Sequence, residues 1–307
     1  MVKTRTKSKL KDRQVKIACA LIVLGALLFF SLYRNVQSHK YPFPYSETKE
    51  KTQGYIPRDV ANEVEKQKKI FSLTEVPVYK VPILMYHYVE YVSDKNDTIR
   101  ISLNTLPVIL DEQIKTLKSS GYTLMSIHEL SLVMNGKMPL PKNPVILTFD
   151  DGYRDFYTDA YPILKKHNAK ATQYVVSGLL NSPNYMFKDQ VKEIAREGLV
   201  EIGAHTVTHK WLKDQTIEKL SYEISQSKID LENLIQKPVT SFAYPYGAFD
   251  QNAIIQTKLA GYETAVSTVP GVKHSFFSKY FLFRLRPGAR TGQELIHFLQ
   301  SSKFSSF

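Results

Sequence analysis

The chain has a single cysteine, Cys19, so it can form no internal disulfide, and cysteine pairing gives no information on redox compartment. It has no Gly-x-Gly-x-x-Gly and no glycine-rich phosphate loop, which excludes the nucleotide-binding sheets built on those turns. The zinc-protease signature His-Glu-x-x-His is missing, because Thr206 follows His205 in the segment that ends at His209. After residue 34 no dense Lys/Arg stripe interleaved with aromatics occurs, so nucleic acid is not expected as a partner. No repeat of fixed period is found.

What is present begins with enough apolar material for a full-sized core: 43% hydrophobic and 12% aromatic over 307 residues. The length suits one large domain with appendages. Half of the net charge of +12 sits in residues 1–16, where seven Lys and Arg residues face only Asp12. An uncharged run, "IACALIVLGALLFFSLY" at 17–33, follows; its length is at the short end for a membrane-spanning helix. The cationic flank predicts that residues 1–16 stay cytoplasmic and that everything beyond the run lies outside. No small-x-small site follows it, which favours an uncleaved single-pass membrane anchor over a cleaved signal peptide and secretion. The expected organisation is a basic tail at 1–16, an anchor at 17–33, a polar, proline-punctuated stalk at 34–79 and one large folded domain at 80–307.

Within 80–307, short apolar runs ("VPILMYH", "YTLMS", "PVILTFD", "ATQYVV", "LVEIGAH", "VTSFAYPY", "YETAVST", "FLFRLR") alternate with helix-period segments. Strand–helix alternation means a parallel sheet covered by helices. Seven or eight such units predict an α/β fold, a closed or nearly closed (β/α) barrel. Barrel sites collect at the C-terminal ends of strands. Polar and titratable residues do end these runs: His87, the pair Asp150-Asp151 in "VILTFDDGYRDF", His205 with His209 four residues on, and Tyr246. The i, i+4 histidines can face one site across a helical turn. Two imidazoles and one carboxylate leave coordination positions open on a divalent cation, whether hydrolytic Zn²⁺ or Fe(II). A second carboxylate beside them favours hydrolysis, because it can take a proton from water.

The three motifs "TFDDG", "HTVTH" and "FAYPYG", in this order, resemble those of the polysaccharide deacetylases, the NodB-type carbohydrate esterases of family 4, over about residues 80 to 300. The resemblance implies a distorted or incomplete (β/α) barrel and metal-dependent removal of acetyl from N-acetylhexosamine polymers. By the same resemblance Asp150 is the general base, and Asp151, His205 and His209 hold the metal, Zn²⁺ first with Co²⁺ or another divalent ion as alternatives. Pro245 and Tyr246 contact substrate, the Tyr246 backbone N–H facing the oxyanion. Most of the family carries an Arg in the third motif where Ala243 stands, so another cation must orient the base. Arg284 or Arg286 in "FLFRLRPG" is the candidate, with Arg284 preferred. "LIH" ending at His297 matches the letters of the late motif that supplies the family's usual acid, but its surroundings read as an amphipathic helix, so His297 is set aside. "ILMYHYV" resembles the subgroup acting on poly-β-1,6-N-acetylglucosamine, in which an early His donates the proton; His87 is therefore the expected acid, with a pKa held near or above the working pH. Trp211 and Tyr153 are expected to line the sugar groove.

These readings imply an N-deacetylase acting on an N-acetylglucosamine-rich envelope polymer, either peptidoglycan or poly-β-1,6-N-acetylglucosamine. A catalytically weak or inactive anchored glycan-binding protein on the same fold is the alternative.

Overall fold

A computed structural model of the chain describes residues 56–70 and 76–301. They belong to the compact unit Lys51–Phe307. The apolar run at 17–33 lies outside the described residues, and among those described no helix is long and apolar enough to cross a membrane.

Among the described residues nine strands are assigned: β1 (Val78–Lys80), β2 (Ile83–Tyr86), β3 (Thr123–Met125), β4 (Pro144–Phe149), β5 (Ala171–Val175), β6 (Val200–Ala204), β7 (Ser241–Ala243), β8 (Thr264–Val266) and β9 (Lys273–Ser275). Seven form one sheet in the order β2-β4-β5-β6-β7-β8, with β3 paired on the start of β4, and every ladder in it is parallel. The composition explains the topology. In β4 all six residues of "PVILTF" are buried, as are all four of "ILMY" in β2, so both faces need cover. Continuous apolar strands of this kind belong to helix-covered parallel sheets rather than one-faced antiparallel ones.

The sheet is curled, and its two edges are joined by segment 281–286. Leu285 donates to the Ile83 carbonyl and accepts from the Met85 amide, both at 2.8 Å, on the β2 side. Leu282 donates to Ala265 and accepts from Ser267, again at 2.8 Å, on the β8 side. The run "FLFRLR", expected as a last strand, thus makes only isolated parallel bridges, at Leu84 and Val266. It nonetheless occupies the place an eighth strand would take. Residues Arg284 and Arg286, two apart on an extended segment, therefore point the same way.

Among the described residues, two helical segments carry single π-turns. One covers Phe156–Ala160, just before helix Tyr161–Lys166. Pro162 has no N–H to give to an i−4 carbonyl, and the Tyr161 amide reaches back five residues to Phe156 instead. The other, Tyr222–Gln226, lies between helices Ile217–Ser221 and Ser227–Ile235.

The sequence did not reveal the antiparallel pairing of β1 with β9. Helix Arg58–Ile70, placed in the stalk by its polar composition, packs Val60 (1% exposed) on the core, and its Asp59 carboxylate accepts the Gln251 amide at 2.8 Å.

Candidate active site

The C-terminal ends of β2, β4, β6 and β7 converge on one cluster. Asp150 follows β4 directly, its amide held by the Tyr86 carbonyl of β2 at 3.0 Å. Its carboxylate is 3% exposed and receives a two-pronged contact from Arg284, Nη1 to Oδ1 and Nη2 to Oδ2, each at 2.7 Å. The guanidinium is itself fixed, with Nε on the Ser267 carbonyl at 2.8 Å and Nη1 shared with Thr148 Oγ1 at 3.1 Å. Planar two-point pairing sets the carboxylate's orientation as well as its charge. Burial alone would raise the Asp150 pKa, but the Arg284 guanidinium outweighs it and holds the carboxyl below the usual range.

Asp151 turns away from its neighbour because its backbone is left-handed, φ 76°. Its Oδ1 lies 3.2 Å from His205 Nε2 and 3.0 Å from His209 Nε2. The three donor atoms lie within 4.8 Å of one another. His205 Nδ1 sits 2.7 Å from the Ala243 carbonyl, which can only accept, so that nitrogen carries the proton. In the neutral ring Nε2 then presents a lone pair to a buried carboxylate oxygen that makes no hydrogen bond. A cation between these atoms satisfies the His205 lone pair and the Asp151 carboxylate together. A proton can serve one nitrogen, whereas a divalent cation serves all three donors, and an N,N,O set with open positions is what hydrolytic zinc sites use. The donor set therefore fits such an ion. Burial opposes the His205 imidazolium, but the Asp151 and Asp150 carboxylates raise its pKa above the ordinary histidine value, so protons compete with the cation at low pH.

The histidines are not presented by a helical turn, as their spacing suggested. Residues 205–210 form a loop in which Thr206 and His209 are both left-handed, φ 66° and 58°. Tyr246, φ 60°, is a fourth such position. Each costs on the order of 1–3 kcal/mol for a non-glycine residue, and such strain gathers at functional sites. Tyr246 stands in the turn Pro245–Gly247, where Pro245 is buried and a Cβ on Gly247 would lie 2.0 Å from Thr268 Oγ1. The Tyr246 phenol lies 3.0 Å from His209 Nδ1, so its side chain steadies that imidazole, a contact the sequence did not suggest.

His87 follows β2, 13% exposed, with Nε2 3.9 Å from Asp150 Oδ2. Its pKa is not held up as expected. Burial, with Arg286 and Arg284 nearby, outweighs Asp151 and Asp150 and lowers it to about 4. Arg286 does not reach the base; Arg284 does. His297 is exposed on helix Gly292–Gln300. Trp211 is half-buried, its ring 6.1 Å from that of Tyr246. Tyr153 stacks on Tyr88 at 4.0 Å and is leaned on by Tyr185 at 5.1 Å. Tyr88, Tyr185, Thr148 and Ser267 escaped sequence reading. Of these only Thr148 left a trace, as a hydroxyl inside an apolar strand.

The polysaccharide deacetylase family profile matches residues 137–265, a span containing both aspartates, both histidines and Tyr246. The solved Streptococcus pyogenes deacetylase PplD, in complex with acetate, is 30% identical and superposes with a TM-score of 0.67 over 74% of this chain and 100% of that one. The chain belongs to the polysaccharide deacetylase family. Its relatives include YxkH of Bacillus subtilis (strain 168), whose name assigns it provisionally to these deacetylases; it is 28% identical over 294 residues, 94% of this chain and 99% of that protein. The poly-β-1,6-N-acetyl-D-glucosamine N-deacetylase of Staphylococcus aureus (strain MRSA252) is 30% identical over 164 residues, covering 49% of this chain and 56% of that protein. Polysaccharide deacetylase homologues are N-deacetylases, hydrolases by reaction class, and generally work with a divalent metal.

Proposed function

We propose that the chain hydrolyses the acetamide of N-acetylglucosamine units in a cell-envelope polysaccharide, with poly-β-1,6-N-acetylglucosamine ahead of peptidoglycan as the polymer. The observation that carries the reading is the pairing of two unlike carboxylates: Asp150 clamped by Arg284, and Asp151 facing two imidazoles. The names of relatives such as the Staphylococcus aureus enzyme support the choice of polymer. We further propose that the run at 17–33 tethers the domain on the extracytoplasmic side, where such polymers lie.

Asp151, His205 and His209 would hold the divalent cation, zinc by preference and cobalt next. When bound there, such an ion supplies Lewis-acid polarisation of the acetamide carbonyl and of the attacking water. Asp150 takes a proton from that water as the water oxygen bonds to the acetyl carbon. Arg284 keeps the base ionised before the step and fixes its direction during it. The amide nitrogen must gain a proton as the C–N bond breaks. His87 starts neutral, so its proton comes from Asp150, its neighbour at 3.9 Å, and passes on to the leaving amine. One water is consumed, and acetate and an amine are released. Tyr246 is assigned to the oxyanion through its backbone N–H, and Pro245, Trp211 and Tyr153 to the sugar groove.

The test is acetate release by the full-length chain, with metal supplied, from poly-β-1,6-N-acetylglucosamine, peptidoglycan and chitin oligomers. The β-1,6 polymer is expected to give the fastest release, and no acetate from any polymer would contradict the function. His87→Ala is expected to lower kcat by about 10²-fold, within the range for a positioned proton-transfer group, with metal affinity unchanged. Undiminished kcat in that variant would remove His87 from the mechanism.

A further inference from the structure

The loop that carries His209 is held by a residue far from it in sequence. Glu223 is 6% exposed, and its Oε2 accepts the amides of Val207 at 3.0 Å and Thr208 at 2.9 Å. Its Oε1 accepts the Thr208 hydroxyl at 2.5 Å. From the other side, the Thr206 and Val207 carbonyls accept the Ser177 and Gly178 amides at 3.1 and 2.9 Å. The peptide planes between His205 and His209 are thus fixed on both edges. The loop needs this, because Thr206 and His209 are left-handed, a conformation that neither side chain favours.

Glu223 lies in the π-turn Tyr222–Gln226. A π-turn adds a residue to the helical circuit and changes where the next side chains point, which is why such turns recur at functional sites. Here the carboxylate sits beneath the histidine loop rather than in solvent, with three donors arranged around it.

We infer that Glu223 is a positioning residue for the cation site: it sets the backbone from Val207 to Thr208, and through it the direction of His209 Nε2 toward Asp151. This rests on the reading of Asp151, His205 and His209 as cation ligands. The hydrogen bonds of Glu223 go to the loop at Val207 and Thr208, not to Asp150, Asp151 or the imidazoles. It orients a ligand through the main chain, where ligands are more commonly oriented through their own ring nitrogens.

The test uses the full-length chain stripped of metal and titrated with Co²⁺, followed by the visible absorption of the bound ion, together with thermal unfolding of the metal-free protein. Glu223→Ala is expected to weaken Co²⁺ binding by about 10- to 100-fold, the usual loss when a ligand's support is removed, and to alter the absorption bands. Glu223→Gln is expected to stay within about threefold of the unmodified chain, because one amide oxygen can accept both N–H groups while its NH₂ donates to Thr208 Oγ1. Leu231→Ala, in the same helical segment and fully buried, is the structural control: it should lower the unfolding temperature and leave Co²⁺ affinity within about threefold. Unchanged Co²⁺ affinity and bands in Glu223→Ala would overturn the inference, as would an equal loss of affinity in Leu231→Ala. Absence of Co²⁺ binding by the unmodified chain would instead overturn the cation-site reading itself, and the inference with it.

Discussion

Asp150→Asn is expected to lower kcat by about 10²- to 10⁴-fold, the span contributed by a positioned general base, while Co²⁺ or Zn²⁺ affinity stays near that of the unmodified chain. The separation follows from the geometry. Asp150 faces Arg284 and His87, whereas Asp151, its sequence neighbour, faces His205 and His209. The left-handed backbone at Asp151 turns the two carboxylates apart, so that like charges adjacent in sequence serve different partners. An Asn at 150 keeps one acceptor and the approximate shape but cannot take a proton from water. Asp151→Asn should give the opposite pattern, with metal affinity lost first. Acetate-release kinetics and metal titration on the two variants decide it. If Asp150→Asn lost metal and kept its rate at saturating metal, the two roles would have to be exchanged.

Arg284→Leu is expected to destabilise the domain by about 3–5 kcal/mol at neutral pH, because it strands a buried carboxylate. In the native chain the Asp150 pKa is depressed, so its pairing contributes stability above the ordinary carboxylate pKa of about 3.9 and loses it as pH falls through the lower folded value. Without the guanidinium, burial is opposed only by the His205 and His87 imidazoles and pushes the Asp150 pKa upward. The variant should then recover part of its deficit as pH falls and Asp150 takes up a proton. The acid limb of its kcat/KM profile should move to higher pH for the same reason. Arg284→Lys keeps the charge but not the two-point grip, and should fall between. Urea unfolding across pH and a pH–rate profile are the measurements. An acid limb unmoved in Arg284→Leu would mean that Arg284 does not govern the ionisation of Asp150.

How much of this was legible in the sequence differs from part to part. Strands such as β4 and β2 announce themselves as uninterrupted apolar runs, because a parallel strand buried on both faces needs nothing else. The ends of those runs likewise marked Asp150, Asp151, His205 and His87. Periodicity could not foretell the histidine loop. The i, i+4 spacing suggests a helix, yet here left-handed residues and remote hydrogen bonds set the path. Glu223, fourteen positions after His209, looks in sequence like any polar residue of an amphipathic helix. Arg284 meets Asp150 across 134 positions, so nothing local could distinguish it from Arg286; only the bridging of segment 281–286 to both sheet edges does. The pKa of His87 was misjudged for a related reason. Strand-end placement says nothing of the burial and the two guanidinium groups that lower it. The β1–β9 pair is three residues on each side, too short to leave a pattern.

The central claim is that Asp151, His205 and His209 hold a cation on which deacetylation depends. It is tested most directly by removing metal with a chelator, dialysing, and following acetate release from poly-β-1,6-N-acetylglucosamine as Zn²⁺ is returned. The expected result is background release from the stripped chain, recovery complete at about one Zn²⁺ per chain, and no recovery in Asp151→Asn at the same concentration, as a three-donor site requires. Full acetate release by the stripped chain would contradict it.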